Sequence, residues 1–352
     1  MACGPRAAYA DGVKSIVATG CVSKRVSMSP GPRIRALTIR VWYVMTVYFI
    51  SHPVCMEHRT PAYHPERPER LSAIDDQLLT SGVGSLLHYR EAPQVTREQL
   101  LRVHSASYVD ELSRAAPSAG APLCLDGGDT YMSEHSLEAA RRAAGAVVSA
   151  VDLVMDDEDN AAFCSVRPPG HHATRDQAMG FCLYNNIAVG AAHALDAHGL
   201  ECVAIADFDV HHGNGTDEIF LHEPRVLFCS TFQHPFYPYQ GAERRGGVPR
   251  VNVPLRAGTG GEAFRDAVRE HWLPALDAFR PQLVMISAGF DAHLEDDMAG
   301  FGLVEDDYAW VTRKLKGIAE RHARGRIVSA LEGGYALSAL GRSVVAHLKA
   351  LL

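Results

Sequence analysis

The sequence predicts an α/β fold of three layers, in which a single open, mostly parallel β-sheet carries helices on both faces. Short apolar runs of strand length alternate along the chain with longer runs of helical periodicity. Such alternation is typical of strands joined by helical crossovers, which make neighbouring strands parallel and cover both faces of the sheet. A chain of 352 residues is long enough to bury a large core of this kind.

The composition argues against several classes of protein. A hydrophobic content of 47% with 21% charged residues is ordinary for a globular domain. The formal net charge of −7 provides no basic surface for nucleic acid or for an anionic membrane. No apolar run approaches the roughly 18 residues that span a bilayer. The 8 cysteines form no CxxC pair and no zinc-finger spacing, which favours free thiols in a reducing, cytoplasmic compartment.

The first 40 residues differ in composition from the rest. They are basic and punctuated by proline and glycine, Asp11 is their sole acidic residue, and they have no periodic apolar face. A targeting peptide is one interpretation, and an upstream start with the protein proper beginning near Met45 is another. We predict a disordered extension over residues 1–40 and a single domain over residues 41–352.

The individual elements follow from the periodicity of the apolar residues. The predicted strands are Val41–Ile50, Ala161–Val166, Cys202–Ala206, Arg225–Ser230, Leu283–Ala288 and Arg326–Leu331. The predicted helices are Leu71–Leu79, Thr96–Val103, Ser107–Ala115, Ser133–Val154, Asn185–Ala197, Thr216–Leu221, Glu262–Phe279, Glu305–His322 and Ser338–Leu352.

Four polar clusters each come directly after a predicted strand. They read RPPGHH, DFDVHHGNG, GFDAH and EGGY in chain order. In open α/β sheets, ligands bind outside the carboxyl ends of the strands. If the sheet is parallel, the four clusters therefore meet at one edge, and this coincidence favours a functional site more than any single motif does.

The stretch IADFDVHHGNGT, residues 205–216, points to a metal site. In an extended segment alternate side chains share a face, which would bring Asp207, Asp209 and His211 together. Buried carboxylates are unfavourable unless they are paired or bind a cation. Asp209 and His211 with Asp291, from GFDAH, predict three ligands and an open coordination position. Acidic residues that cap the next helix are the alternative, and Fe²⁺ or another divalent ion also suits this ligand set.

Two adjacent histidines, His171 and His172, are candidates for proton transfer beside such a metal. A rigid surface loop is the alternative interpretation of the pair. Each histidine needs an orienting partner, which Asp207 provides for one and Asn214 for the other. A carboxylate partner raises the pKa of its imidazole and an amide does not, so the two pKa values would be tuned apart.

Aromatic residues near the predicted site complete the set. Tyr335 follows two glycines, and its hydroxyl would donate to a developing oxyanion if it faces the metal. The pairs Gly180–Phe181 and Phe236–Tyr237 would line a narrow tunnel for a long, slim, mostly apolar substrate arm. Simple packing in the core is the alternative for each of these aromatic side chains.

Together these residues resemble the histone deacetylase family, from about residue 45 to the C-terminus. RPPGHHA, GFCLYNN, DFDVHHGNGT, SAGFDAH and LEGGY occur in the order and spacing of that family. The HHGNGT form is similar to the class II branch and its bacterial relatives, which include acetylpolyamine amidohydrolases. The resemblance implies the arginase/deacetylase fold and a deacetylase catalytic domain over residues 41–352.

The resemblance also implies individual roles. The catalytic residues would be His171, His172, Asp207, Asn214 and Tyr335, with His172 as general base and then general acid. The zinc ligands would be Asp209, His211 and Asp291. The acyl-lysine tunnel and its rim would be formed by Asp129, Gly180, Phe181, Tyr237, Met298 and Gly333. A structural potassium ion would be held near Asp207, Asp209, His211, Ser230 and Thr231.

The activity that the resemblance implies is zinc-dependent hydrolysis of N-acetyl amides, above all Nε-acetyl-lysine in proteins. An acetylpolyamine or another small acetylated amine is the alternative substrate. Met298 weakens that alternative, because a glutamate marks polyamine-selective members at this rim position. A non-catalytic module that binds acyl-lysine and a binuclear manganese hydrolase of the arginase type are further alternatives. Neither nucleic acid nor a membrane is an expected partner, and the sequence makes no prediction of oligomeric state.

Overall fold

The centre of the protein is a parallel sheet built from short apolar strands. The computed structural model describes residues 46–156, 160–243 and 249–352. Strands within these ranges are β1 Thr46–Ser51, β2 His88–Glu91, β3 Leu123–Cys124, β4 Tyr131–Met132, β5 Asn160–Cys164, β6 Val203–Asp207, β7 Val226–Gln233, β8 Arg250–Leu255, β9 Leu283–Ala288 and β10 Ile327–Leu331. Eight of these strands form one sheet in the order β2-β1-β5-β10-β9-β6-β7-β8, and each neighbouring pair is parallel.

Helices cover both faces of this sheet. Within the described ranges they are α1 Glu69–Ser81, α2 Arg97–Leu101, α3 Ala106–Ala115, α4 Ser136–Asp156, α5 Asn186–Ala197, α6 Asn214–Ile219, α7 Gly261–Ala267, α8 Leu273–Phe279, α9 Glu305–His322 and α10 Leu337–Leu351. Every residue of β5, β6, β7, β9 and β10 is buried, as a sheet covered on both sides requires. No helix in the described part of the chain is long and apolar enough to cross a membrane.

The three-layer architecture with a parallel sheet confirms the predicted fold class. Two edge strands were not predicted. β2 is exposed at all four positions and therefore has no apolar face to reveal it, whereas β8 carries Pro254, which is tolerated at a sheet edge. The first strand was predicted from Val41, but residues 41–45 lie outside the described residues, as does the predicted extension over residues 1–40.

The helix predicted as Glu262–Phe279 is interrupted. A π-helical turn, Val268–Trp272, separates α7 from α8. Pro274 lies at the start of α8 and has no N–H to donate to the carbonyl four residues back, so the regular pattern cannot run through this point. The periodicity of the apolar residues continues across the turn, which is why the sequence suggested one helix.

The strand order decides where the polar clusters meet. β5, β10, β9 and β6 are consecutive neighbours in the middle of the sheet. The clusters RPPGHH, EGGY, GFDAH and DFDVHHGNG follow these four strands, in that order across the sheet. Because the four strands are parallel, all four clusters lie at the same carboxyl edge, as predicted.

Candidate active site and metal centre

Asp209, His211 and Asp291 converge in the loops that follow β6 and β9. Their candidate ligand atoms all lie within 4.8 Å of one another, and all three residues are buried. His211 Nδ1 lies 3.0 Å from Asp209 Oδ1 and 3.2 Å from Asp291 Oδ2. The expected alternation of an extended strand does not produce this arrangement, because β6 already ends at Asp207. Instead the backbone turns back onto its own carboxylates, with His211 N donating to Asp209 Oδ1 at 2.9 Å.

The chemistry of this donor set fits a divalent cation. Burial and the neighbouring charge of Asp209 raise the pKa of Asp291 to about 6, although the contact of its Oδ2 with His211 Nδ1 opposes the shift. Burial alone would lower the pKa of His211, but the two carboxylates raise it to about 10. A positive charge at the centre of the cluster would therefore stabilise the two carboxylates. Three protein ligands leave coordination positions open for water or substrate.

Gly333 allows the loop after β10 to approach the two carboxylates. A Cβ atom at this position would lie 2.0 Å from Asp291 Oδ2 and 2.7 Å from Asp209 Oδ2. The backbone N–H of Gly333 instead donates to Asp209 Oδ2 at 2.9 Å. The absence of a side chain is therefore a steric requirement of the site.

His171 is held as a cation by its carboxylate neighbours. Its Nδ1 donates to Asp207 Oδ2 at 2.9 Å, and its Nε2 lies 3.8 Å from Asp209 Oδ2. Burial opposes protonation, but Asp207 and Asp209 outweigh it and hold the pKa of His171 well above its usual range. The predicted Asp207–His171 pair is present in the structure.

His172 has the opposite protonation. Its Nδ1 donates to Asn214 Oδ1 at 2.8 Å, while Asn214 Nδ2 faces Met179 Sδ at 3.4 Å, so Nε2 is left without a proton. Burial and then the charges of His171 and His211 hold the pKa of His172 well below its usual range. The centres of the two rings lie 4.0 Å apart. The positive charge of His171 therefore disfavours protonation of His172.

Glu332 supports this histidine pair and was not predicted. Its Oε2 accepts from the backbone N–H groups of Gly170 at 2.7 Å and His171 at 3.1 Å, and its Oε1 accepts from Ser287 at 3.1 Å. Burial raises the pKa of Glu332 to about 7, although the charge of His171 opposes the shift. The sequence did offer one signal for Glu332, which is an acidic residue directly after a strand that is buried at every position.

A pocket of about 180 Å³ opens beside the cluster. It is lined by Asp129, Pro169, His171, His172, Gly180, Phe181, His211, Phe236, Tyr237, Met298, Gly333 and Tyr335. The six residues predicted for the tunnel and its rim are all among them. Pro169 was not singled out, although it lies in the RPPGHH motif. Phe236 stacks on His211 with ring centres 5.6 Å apart, and Tyr237 meets His172 edge-on at 5.2 Å.

One wall of the pocket depends on two consecutive residues with positive φ. Gly180 has φ of 55° and Phe181 has φ of 69°. A Cβ on Gly180 would come within 2.4 Å of the His172 ring. The backbone N–H of Phe181 donates to Thr130 Oγ1 at 3.1 Å, and its ring packs edge-on against His64 at 4.6 Å. These contacts stabilise a conformation that a phenylalanine rarely adopts.

Tyr335 also lines the pocket, and its ring is edge-on to Phe181 with ring centres 5.8 Å apart. The guanidinium of Arg70 lies 4.9 Å from the centre of the Tyr335 ring. Burial raises the pKa of Tyr335 well above its usual range. The phenol therefore stays protonated and remains a hydrogen-bond donor.

The residues predicted for a potassium site include Asp209 and His211 of the cluster, together with Asp207, Ser230 and Thr231. Ser230 and Thr231 are buried in β7, and the strand register pairs Ser230 with Asp207. Ser230 Oγ lies 3.1 Å from Nδ1 of His212. Oxygen atoms from two strands are therefore close to the same end of the sheet.

A second group of candidate ligands, Asp152, His193 and His198, lies between α4 and α5. Both imidazole Nε2 atoms approach Asp152 Oδ1, at 2.8 and 2.7 Å. Arg102 donates to His193 Nδ1 at 2.9 Å, and because a guanidinium cannot accept, the proton of His193 resides on Nε2. Hydrogen bonds to Asp152 explain why these three residues lie together. A metal ion would need His193 Nε2 without its proton.

An open parallel sheet that brings carboxylates, imidazoles and a phenol around one pocket at its carboxyl edge defines an α/β enzyme built for acid–base chemistry. The chain belongs to the histone deacetylase family: the family model described as Histone deacetylase domain matches residues 64–351. It is a deacetylase, a hydrolase that acts on acetylated amides, as the resemblance of its motifs implied.

Individual relatives support this assignment. A histone deacetylase-like amidohydrolase of Pseudomonas aeruginosa is 40% identical over 303 residues, which cover 84% of this chain and 79% of the relative. A probable deacetylase of Archaeoglobus fulgidus is 36% identical over 300 residues, covering 83% and 82%. The crystal structure of the HDA15 HD domain superposes with a TM-score of 0.79 at 36% identity, covering 88% of this chain and 90% of that chain.

Proposed function

We propose that this deacetylase hydrolyses Nε-acetyl-lysine in proteins with a zinc ion held by Asp209, His211 and Asp291. The observation that carries the proposal is the convergence of these three ligands beside a histidine pair of opposite protonation in one pocket. A bound zinc ion would polarise the acyl carbonyl and lower the pKa of a water molecule. The same ligands would accept Fe²⁺, so the two metals need to be compared.

His172 is the proposed general base. Its hydrogen bond to Asn214 leaves Nε2 free to accept a proton, and its lowered pKa keeps the ring neutral near pH 7. It would take a proton from the attacking water and then give it to the leaving amine. His171, charged through Asp207, would remain protonated and contribute positive charge beside the reaction.

Tyr335 is the proposed donor to the oxyanion. Its protonated hydroxyl belongs to a residue that lines the pocket together with His172 and His211. Removing a single oxyanion donor typically costs about 10² to 10³ in kcat. We expect Tyr335→Phe to fall in this range with a small change in KM.

The pocket supports a slim acyl chain as substrate. Phe181 and Tyr237 provide aromatic walls, and the volume of about 180 Å³ suits the tip of a side chain carrying a small acyl group. Asp129 at the pocket is proposed to accept hydrogen bonds from the substrate backbone. The apolar Met298 favours a lysine side chain over a second cationic group at this position.

A small acetylated amine is the second candidate substrate. The observation in its favour is the carboxylate of Asp129, which lines the pocket and would attract the distal ammonium group of a polyamine. Membership of a deacetylase family argues against the alternative of a non-catalytic module that binds acyl-lysine.

We also propose that a potassium ion binds near Asp207, Asp209, His211, Ser230 and Thr231. The register between β6 and β7, which places Ser230 beside Asp207, supports this proposal. The thiols of the six cysteines in the described residues are free, which supports the proposed cytoplasmic location.

The decisive experiment strips the purified full chain of metal, reloads it with Zn²⁺ or with Fe²⁺ under anaerobic conditions, and measures kcat/KM. An acetyl-lysine peptide and N-acetylspermidine are compared on the same preparation, with Tyr335→Phe as the control for the active site. We expect activity to return with metal, to favour the peptide, and to be largely lost in Tyr335→Phe.

Three results would each reject a separate part of the proposal. Full turnover by the metal-free protein would reject the metal centre. A preference for N-acetylspermidine would reassign the substrate. Full activity of Tyr335→Phe would reject the oxyanion donor.

A further inference from the structure

The segment that carries Tyr335 has little stiffness of its own. It connects β10 to α10, and Tyr335 directly follows Gly333 and Gly334, the latter with φ of 120°. Glycine has more backbone freedom than any other residue. A hydroxyl that must meet a developing oxyanion needs an accurately fixed backbone, so other groups have to hold this segment.

Asp296, in the neighbouring loop, binds the backbone of this segment. Its Oδ2 accepts from the backbone N–H of Tyr335 at 2.6 Å and from that of Ala336 at 2.9 Å. The side chain is largely buried, and hydrogen bonds to a buried carboxylate are shorter and stronger than those between neutral groups. Asp296 lies in the loop after β9, five positions beyond the proposed zinc ligand Asp291.

The other oxygen of the same carboxylate reaches the rim of the pocket. Asp296 Oδ1 accepts from the backbone N–H of Met298 at 3.1 Å. Met298 lines the pocket, as does Tyr335. A single carboxylate therefore connects the backbone of a rim residue with the backbone of the proposed oxyanion donor.

Arg70 holds the same segment from its carbonyl side. Its Nε donates to the carbonyl of Gly334 at 2.6 Å, and its Nη2 donates to that of Glu332 at 2.5 Å. The N–H groups of Tyr335 and Ala336 are thus bound by Asp296. The carbonyl groups of Glu332 and Gly334 are bound by Arg70. Both polar sides of the backbone around Tyr335 are bound by charged side chains.

We infer that Asp296 is a positioning residue for the deacetylation reaction, which fixes the backbone of Tyr335 and ties it to the rim at Met298. The inference rests on the proposed function of Tyr335 as the oxyanion donor. Asp296 would act through Tyr335 and would not itself touch the substrate.

The test is a double-mutant cycle between Asp296→Asn and Tyr335→Phe in the full-length, zinc-loaded protein. An asparagine has one accepting oxygen, so its amide NH₂ must face either the Tyr335 segment or the N–H of Met298. We expect Asp296→Asn to lower kcat by roughly 10- to 100-fold with little change in KM, since misplacement of a reacting group acts on the transition state. In the Tyr335→Phe background we expect a further loss of less than about 3-fold.

Asp297→Asn is the matched control. Asp297 is the next residue, is exposed, and undergoes the same chemical change. We expect kcat and KM of this variant to equal those of the unmodified protein. Thermal unfolding of each variant shows whether a loss of activity reflects a loss of folded protein. If Asp296→Asn does not fold, Asp296→Glu, which keeps the charge but moves it by one methylene, takes its place in the cycle.

The outcomes separate the inference from the function on which it rests. Losses that multiply, so that the double variant is worse than Tyr335→Phe by the full effect of Asp296→Asn, would overturn the positioning inference. Unchanged kcat in Asp296→Asn would overturn it as well. Full activity of Tyr335→Phe alone would instead overturn the proposed oxyanion donor.

Discussion

The two adjacent histidines show how neighbouring charges and burial set the protonation of a side chain. His171 and His172 share a backbone segment and are both buried, yet their pKa values shift in opposite directions. The carboxylates of Asp207 and Asp209 raise the pKa of His171 against the effect of burial. Burial and then the charges of His171 and His211 lower the pKa of His172, whose partner on Nδ1 is the neutral amide of Asn214. One ring is therefore a permanent charge and the other a neutral acceptor of protons.

At the residue scale we predict that Gly180→Ala disables the enzyme. The positive φ costs an alanine roughly 1–2 kcal/mol, and the added Cβ would also lie 2.4 Å from the His172 ring, forcing that ring to move. We expect lower stability in urea unfolding together with a large fall in kcat/KM.

Gly199→Ala is the control for this substitution. Gly199 has a similar φ of 64°, but a Cβ atom added there would meet no atom of the described residues within 4 Å. It should lose a comparable 1–2 kcal/mol of stability, roughly, from the backbone alone and keep its activity. Equal activity losses in the two variants would contradict the role assigned to the His172 contact.

At the scale of elements, the start of α5 is joined to the active-site loop by one side chain. Asn185 Oδ1 caps the helix by accepting from Ala188 N at 3.1 Å. Its Nδ2 donates to the carbonyl of Ala173 at 3.0 Å and to Thr216 Oγ1 at 3.1 Å. The helix, the loop that carries the histidines and α6 thus share a single buried amide.

We predict that Asn185→Ala costs about 2–4 kcal/mol of unfolding free energy and also lowers kcat. Loss of a helix cap accounts for about 1 kcal/mol, and the buried groups left without partners account for the rest. Thr96→Ala at the exposed cap of α2 is the control and should cost about 1 kcal/mol with unchanged activity. Denaturant unfolding and steady-state kinetics on both variants check this, and equal stability losses would contradict the argument.

At the scale of the whole molecule, buried ion pairs connect distant parts of the chain. Glu66 is fully buried and accepts from Nη2 of Arg167 at 2.6 Å and from Arg70 at 3.1 Å. Burial would raise the pKa of Glu66, but the charge of Arg167 and the hydrogen bond from His58 hold it well below its usual range.

This carboxylate predicts a loss of stability in acid. An unfolded glutamate has a pKa of about 4.3, and the folded pKa of Glu66 is lower. Its contribution is therefore complete above about pH 4.3 and is lost as the pH falls through the folded pKa. Arg167→Met should destabilise the protein by about 3–5 kcal/mol near pH 7 and flatten this acid dependence. The free energy of unfolding against pH measures both effects.

The control for Arg167 is an exposed ion pair. Arg97 and Asp110 lie 2.8 Å apart with about half of each side chain exposed to solvent. Arg97→Met should cost at most about 1 kcal/mol. Similar losses from both arginine substitutions would show that burial of the pair does not govern its contribution.

Metal removal gives a prediction for the folded state as a whole. A metal that binds the folded protein raises its stability by about 2.7 kcal/mol at a free concentration 100 times Kd. Chelation should therefore lower the Tm of the unmodified protein. Asp291→Asn removes one of the two facing carboxylates, so it should raise the Tm of the metal-free protein and make the Tm less sensitive to chelation. Differential scanning calorimetry with and without Zn²⁺ measures the Tm of both proteins. An identical change in Tm for the two proteins would contradict the proposed metal centre.

Much of this protein was determined by the sequence on its own. Apolar periodicity specified the α/β class and the central strands, because each of these strands is buried along its whole length and is therefore mostly apolar. The motifs after the strands, read with the family resemblance, led to Asp209, His211, Asp291, His172 and Tyr335, and the parallel topology implied that they meet.

Only the tertiary structure decided what lies around those residues. Exposed β2 carries no apolar pattern, and the helix interrupted at Val268–Trp272 keeps its periodicity across the break, so neither was visible in the chain. Asp296 accepts from the backbone N–H of Tyr335, 39 positions away in the sequence, and Glu332 accepts from that of Gly170, 162 positions away. Backbone N–H groups are the same in almost every residue, so a sequence motif cannot indicate which of them a carboxylate binds. A sequence states which side chains are present, whereas their partners and charges depend on which loops the fold brings together.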